Sequence, residues 1–353
     1  MKKVVIIGMV ALLACQPRKQ EIIVLAEEDF GAELSGIGKP TLSDYGFFVG
    51  ALKDLQPAEG VVHYELNSSL FTDYAWKKRF IRFPEGNQAT YSANDVLDFP
   101  PGTVLIKNFY YPMDFSKPDQ NIRILETRLL ILEDSTWKAL PYIWNEEQTE
   151  AYLDVGGKNI DVSWTHADGK VKSIRYSVPN MNQCKGCHLR GDKVMPIGPT
   201  ARQLNGSMEG HNFNQLTQLA KLGYLSGLPP IEQVARLVSY EDAQESVDAR
   251  ARAWLEVNCA HCHRPDGPAK TSGLHLLADT GNPYELGVGK APVAAGRGSG
   301  GRNYDIVPGN PDASILYYRI ASSDPGVMMP ELGKTMIHEE GVALIREWIS
   351  KMK

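Results

Sequence analysis

Four cysteines fall in two matching frames, Cys184-Lys185-Gly186-Cys187-His188 and Cys259-Ala260-His261-Cys262-His263. Both read C-x-x-C-H. Two thiols spaced by two residues reach the two vinyl groups on one porphyrin edge and add to them as thioethers. The imidazole that follows then turns under the ring and binds the iron, so the pattern is the attachment signature of c-type haem. The expected cofactors are two covalently bound haem c groups, on Cys184 and Cys187 with His188, and on Cys259 and Cys262 with His263. Other chemistries fit less well. A thioredoxin-like pair needs neither the histidine nor a second copy. Zinc ribbons space their cysteine pairs by about 15–20 residues, and these pairs stand much further apart. A disulfide within C-x-x-C closes too short a loop to constrain much.

The opposite ligand of the first iron is left open by spacing. Met195 lies seven residues after His188, a span that barely lets an extended chain at about 3.4 Å per residue round a porphyrin. His211 follows further on and has the reach. Met181 and Met208 are also near, and a vacant position is a further option. A single Met is equally well read as a gap-filler in a core. His63 and His166 read as ordinary surface or hydrogen-bonded histidines.

The fifth cysteine, Cys15, ends a different pattern. Lys2 and Lys3 precede an apolar run from Val4 to Leu13, and Leu12-Leu13-Ala14 leads directly into Cys15. The run is shorter than the roughly 20 residues a spanning helix needs, so it reads as a secretory signal over 1–14. Its ending resembles a bacterial lipoprotein signal, which implies lipidation at Cys15. The expected location is the periplasmic face of a bacterial membrane, and Gln16 in place of Asp favours the outer membrane. The expected membrane contact is the N-terminal lipid anchor.

The chain has 353 residues and a net charge of −5. That is room for several domains, and with no basic excess a nucleic-acid partner is excluded. Residues 15–40 read as a tether. From 41 to 179 the signal is β: Lys77–Phe83, Thr103–Tyr111 and Ile122–Glu133 are apolar and aromatic runs bounded by Pro, Gly and Asn. Asn159–His166 and Lys170–Val178 flank Ala167-Asp168-Gly169, the signature of a tight hairpin. Residues 180–242 carry the first motif and a helix over Phe213–Leu222, with Gly223 placed as its C-cap. Residues 243–353 read as a small domain around the second motif. A helix over Ser246–Cys262 delivers Cys259 to His263, a short helix spans 312–321, and Gly341–Met352 closes the chain. The expected fold is therefore multidomain α+β: an N-terminal β-sandwich-like domain, then two small, mostly α-helical cytochrome c haem domains. The glycine-rich run Gly296–Gly301 lacks the Gly-Lys-Ser/Thr ending of a phosphate loop and reads as a haem-covering loop. Tyr74, Trp76, Tyr110, Tyr111, Trp137, Tyr142 and Trp144 read as β core.

Residues 245–353 resemble class I cytochrome c through the leading helix, Cys259 to His263, Met329-Pro330, and a last helix ending in Trp348-Ile349. The resemblance implies that the first and last helices pack across each other and that Met329 is the sixth ligand of the second iron. Met328 is its alternative, and His275 and His338 compete weakly. Ile306 to Ser314 is similar to a stretch in bacterial multidomain cytochromes. Most of the chain resembles an exported bacterial di-haem c-type cytochrome family with a β-rich N-terminal region. The resembling segments are Leu66-Asn67-Ser68, Phe71 to Ala75, Pro101 to Lys107, Pro196-Ile197-Gly198-Pro199 and Arg202-Gln203-Leu204-Asn205. The expected function is electron transfer between redox partner proteins, with the β region as docking surface. The alternative is a di-haem oxidoreductase, peroxidase-like or a small-molecule oxidase, in which the first haem keeps an open position.

Overall fold

The computed structural model describes residues 36–353; the leader, Cys15 and the tether up to residue 35 lie outside the described residues. Six strands form one antiparallel sheet in simple meander order: β1 (Val61–Tyr64), β2 (Trp76–Arg82), β3 (Val104–Pro112), β4 (Ile122–Glu133), β5 (Thr136–Trp144) and β6 (Ala151–Leu153). β7 (Lys158–Thr165) and β8 (Val171–Val178) make a separate hairpin paired along its whole length. Its turn is the three-residue loop Ala167-Asp168-Gly169, closed by the His166 N–H on the Lys170 carbonyl at 2.8 Å and the Gly169 N–H on the His166 carbonyl at 2.9 Å, with Gly169 at φ +78°, the left-handed position such a loop gives to glycine.

Strand alternation gives the large sheet two faces. On one face, Ile81, Leu105 and Tyr64 pack at one end with Leu204, Leu216 and Leu219. At the other end, Phe109, Tyr111 and Ile143 pack against Trp164 and Tyr176 of the hairpin. The opposite face is lined by Phe80 and Tyr142, which meet Phe48 and Tyr45 of the preceding segment edge to face.

The helices are short: α1 (Met181–His188), α2 (Ala201–Leu204), α3 (Gln215–Lys221), α4 (Val247–Leu255), α5 (Ile315–Ile320) and α6 (Glu339–Lys351). The expected pair of small, mostly helical haem domains after a β-sandwich is overturned. Elements of four to eight residues cannot bury a core of their own, so α2 and α3 bury theirs on the sheet. The region even adds to a strand there, with Leu225–Ser226 pairing in parallel with Ala89–Thr90. The β region is likewise one six-stranded sheet with a hairpin rather than two packed sheets. Residues Lys39–Lys353 form a single compact unit.

Around the second motif, α4 and α6 pack together through Ala251, Trp254 and Leu255 against Leu344, Ile345 and Trp348. Gly341 is where they come closest; a Cβ there would stand 2.2 Å from the Trp254 indole nitrogen. The Trp348 indole N–H donates to Asp248 at 2.7 Å. Among the described residues no helix is long and apolar enough to cross a membrane.

Candidate functional site

The first C-x-x-C-H motif occupies α1. The helix starts in a capping box: the Asn180 side chain accepts from the Gln183 N–H, and the Gln183 side chain accepts from the Asn180 N–H. Both orphan donors are thereby satisfied. The helix stops at His188, and Leu189–Arg190 turns back on Lys193–Val194 as a two-residue ribbon. That turn carries Met195 underneath His188. Its N–H donates to the His188 carbonyl at 2.8 Å, and its carbonyl lies 2.7 Å from Nδ1. A carbonyl only accepts, so Nδ1 carries the proton and Nε2 keeps its lone pair.

The second motif follows α4 through a wide turn, Glu256–Ala260. The backbone N–H groups of Cys262 and His263 both donate to the Cys259 carbonyl, at 3.1 and 2.9 Å. His263 Nδ1 lies 3.0 Å from the Ser272 hydroxyl. That hydroxyl spends its own proton on the Ala269 carbonyl at 2.7 Å, so it accepts from His263. The two histidines reach the same tautomer, with Nε2 available to a metal.

Burial pushes both imidazoles down to about 4, so both are neutral bases at pH 7. Burial pushes the Cys259 and Cys262 thiols up to about 12 and raises Cys184 and Cys187 as well. That is the reverse of the low-pKa thiolate a thioredoxin-type site needs. All four cysteines are free, and among the described residues no group of three or more His, Cys, Asp and Glu side chains converges as a metal cluster does.

The two motifs, far apart in the chain, are neighbours in space. Cys262 Sγ lies 3.7 Å from the Gly186 carbonyl. Gly186 itself sits under Leu332, whose Cδ1 would be 3.1 Å from an added Cβ. Arg190, just past the first motif, pairs with Asp266, just past the second, and with Asp95 from the β region, both at 2.6 Å. His261, inside the second motif, lines the same cavity as His188. It is 8% exposed and its Nδ1 has no hydrogen-bond partner.

A cavity of about 410 Å³ opens beside the first motif, lined by Cys184, Cys187 and His188 together with His261 and Met328. That volume lies in the range of small-molecule and cofactor sites. Its far wall is the sheet, which contributes Arg79, Lys107 and Arg128.

The other anticipated ligands fall in different places. Met195 lies behind His188, with its backbone against Nδ1 and so on the side away from Nε2. His211 is exposed, meets the Phe213 ring at a tilt and does not line the cavity. Met328 is 8% exposed and lines the cavity. Met329 donates its N–H to the Arg319 carbonyl at 3.2 Å, and the Arg319 guanidinium is the charge that acts on His263. His338 is occupied: it accepts from the Trp254 indole at 2.9 Å and stacks on Phe71 at 4.3 Å. His275 faces Glu285 at 3.3 Å.

Sequence reading missed the cavity's cations, His261 and the acceptors behind the two histidines. A signal for two of the cations was present, because Lys107 and Arg128 interrupt mainly apolar strands.

Comparison of the chain with protein-family models, with curated proteins and with solved structures returned no match.

Proposed function

We propose that the chain is a di-haem c-type cytochrome that moves electrons between redox partner proteins. One observation carries the reading: two C-x-x-C-H motifs meet at the Cys262–Gly186 contact, each with its histidine held in the metal-binding tautomer. Haem c bound there supplies one-electron chemistry at iron. Cys184, Cys187, Cys259 and Cys262 hold the two groups, and His188 and His263 bind the irons through Nε2. Met195 and Ser272 orient the imidazoles and raise their basicity. Met329 serves the second iron, and adjacent attachment points give electrons a short route between the groups. The leader and Cys15 add export and a lipid anchor at the periplasmic face of the outer membrane.

The test is direct. Purified protein should have the mass of the polypeptide plus two haems, and acid-acetone should leave the haem with the protein. Haem that extracts, or a mass without it, ends this reading.

A second reading, a small-molecule oxidoreductase, is favoured by one observation. Neither His211 nor Met195 reaches the cavity in front of His188. On that reading the first iron is high-spin, and carbon monoxide added to reduced protein shifts the spectrum of one haem. If neither haem responds to carbon monoxide, or to cyanide when oxidised, electron transfer stands alone.

A further inference from the structure

We propose that the sheet face lining the His188 cavity is an anion site, in which Arg79, Lys107 and Arg128 together bind an anionic oxygen group, a carboxylate or a small oxyanion. The argument starts from register. Arg79 on β2 stands opposite Lys107 on β3, and Lys107 stands opposite Arg128 on β4. Three basic side chains thus lie side by side across adjacent strands, and Lys77 follows two residues along β2 on the same face. Like charges directly opposite one another on a sheet destabilise it, and a cavity wall screens them less than water does.

The anionic groups nearby neutralise only the Arg128 end of the row. Glu126 is fully buried and committed to Arg128, at 2.7 and 2.5 Å, and to the Tyr176 hydroxyl at 2.6 Å. The Asp73 carboxylate accepts from the backbone N–H groups of Thr335 and Met336 and from the Thr335 hydroxyl. Among the described residues, neither Arg79 nor Lys107 has an ion-pair partner within 4.0 Å. Arg79 is 6% exposed, and its guanidinium makes one hydrogen bond, to the Ser69 hydroxyl at 3.0 Å. The Lys107 ammonium makes none and lies 4.6 Å from the centre of the Phe109 ring. Both side chains line the cavity. The guanidinium fork matches carboxylates and oxyanions in geometry. Its placement on central strands holds the donors in position before a ligand arrives.

Two sources supply this chemistry: the propionates of a haem on Cys184 and Cys187, or a free oxyanion. Lys107 and Arg128 line the same cavity as Cys184, Cys187 and His188, on the attachment side. Haem c carries its propionates on the other edge, so a free anion is favoured. Only the propionate source rests on the haem reading.

Calorimetric titration of the holoprotein with inorganic phosphate at low salt tests this. One phosphate per chain is expected, bound at least tenfold more weakly by Lys107→Met and equally well by Lys78→Met, whose change falls on the opposite face of β2. Arg79→Gln serves as the second variant if Lys107→Met does not fold. If phosphate does not bind, redox-difference infrared spectra separate the remaining outcomes. Propionate bands that shift in Lys107→Met make the haem the source of the anion. No phosphate binding together with no band shift overturns the site. Protein found without haem still reports on the phosphate arm, so the two readings fail separately.

Discussion

His188 and His263 arrive at the same tautomer by different means, one against a backbone carbonyl and the other against a hydroxyl that has given its own proton elsewhere. The backbone acceptor comes with the fold and survives any side chain at 195. The hydroxyl depends on one residue. At this scale the two adjacent methionines also separate, although they are indistinguishable by spacing. Met328 belongs to the cavity of His188, and Met329 is tied to Arg319, whose charge acts on His263. If Met329 serves the second iron as proposed, Met329→Ala should abolish the charge-transfer band at the red end of the oxidised spectrum and lower one midpoint potential, since thioether ligation raises it. Met328→Ala should leave that band in place. If Met328→Ala removes the band instead, the assignment is off by one residue. If both variants keep it, a sulfur ligand on the second iron is excluded.

The elements divide by how local their causes are. Ile122–Glu133 is a strand over the residues expected, and the Asp168-Gly169 hairpin forms where its turn chemistry places it. The Phe213–Leu222 expectation shortens to α3, because the Asn214 side chain accepts from the N–H groups of Leu216 and Thr217 and caps the helix there. The long helix expected over Ser246–Cys262 runs as α-helix over Val247–Leu255 and continues as a π-helical turn over Glu256–Ala260, so it does deliver the second motif at its end. The crossing of α4 and α6 hangs on Gly341, which lets the Trp254 ring sit against the last helix. Gly341→Ala should destabilise the protein by about 1–3 kcal/mol, the usual cost of overpacking a tight contact. Denaturant unfolding checks it, and a variant as stable as the parent would show that the contact relaxes freely.

Across the whole molecule, the β region and both motifs are clasped together, and the clasp has a pH dependence. His338 is 7% exposed, held between Trp254 and Phe71, and burial pushes it down to about 4. An unfolded histidine titrates near 6.5. Between those values the unfolded chain binds more protons than the folded one, so stability rises with pH there. The contribution is complete above about pH 6.5 and is lost as pH falls toward 4. It amounts to at most about 3 kcal/mol for this residue. Urea midpoints at pH 7 and pH 5 should fall with acid, and His338→Gln should reduce the difference. An unchanged dependence in that variant would assign the effect to other groups.

Sequence alone determined what rests on local covalent logic: the two C-x-x-C-H frames, the strand periods and the hairpin turn. These are set by neighbours a few residues away and need no knowledge of the rest of the chain. Tertiary structure decided what depends on contacts distant in sequence. It left no separate pair of haem domains: α2 and α3 are too short to bury a core alone and pack on the sheet instead. It brought Gly186 against Cys262, put Met195 behind His188 rather than across from it, and aligned Arg79, Lys107 and Arg128 in one row. Spacing bounds how far a segment can reach, but packing and strand register choose where it goes.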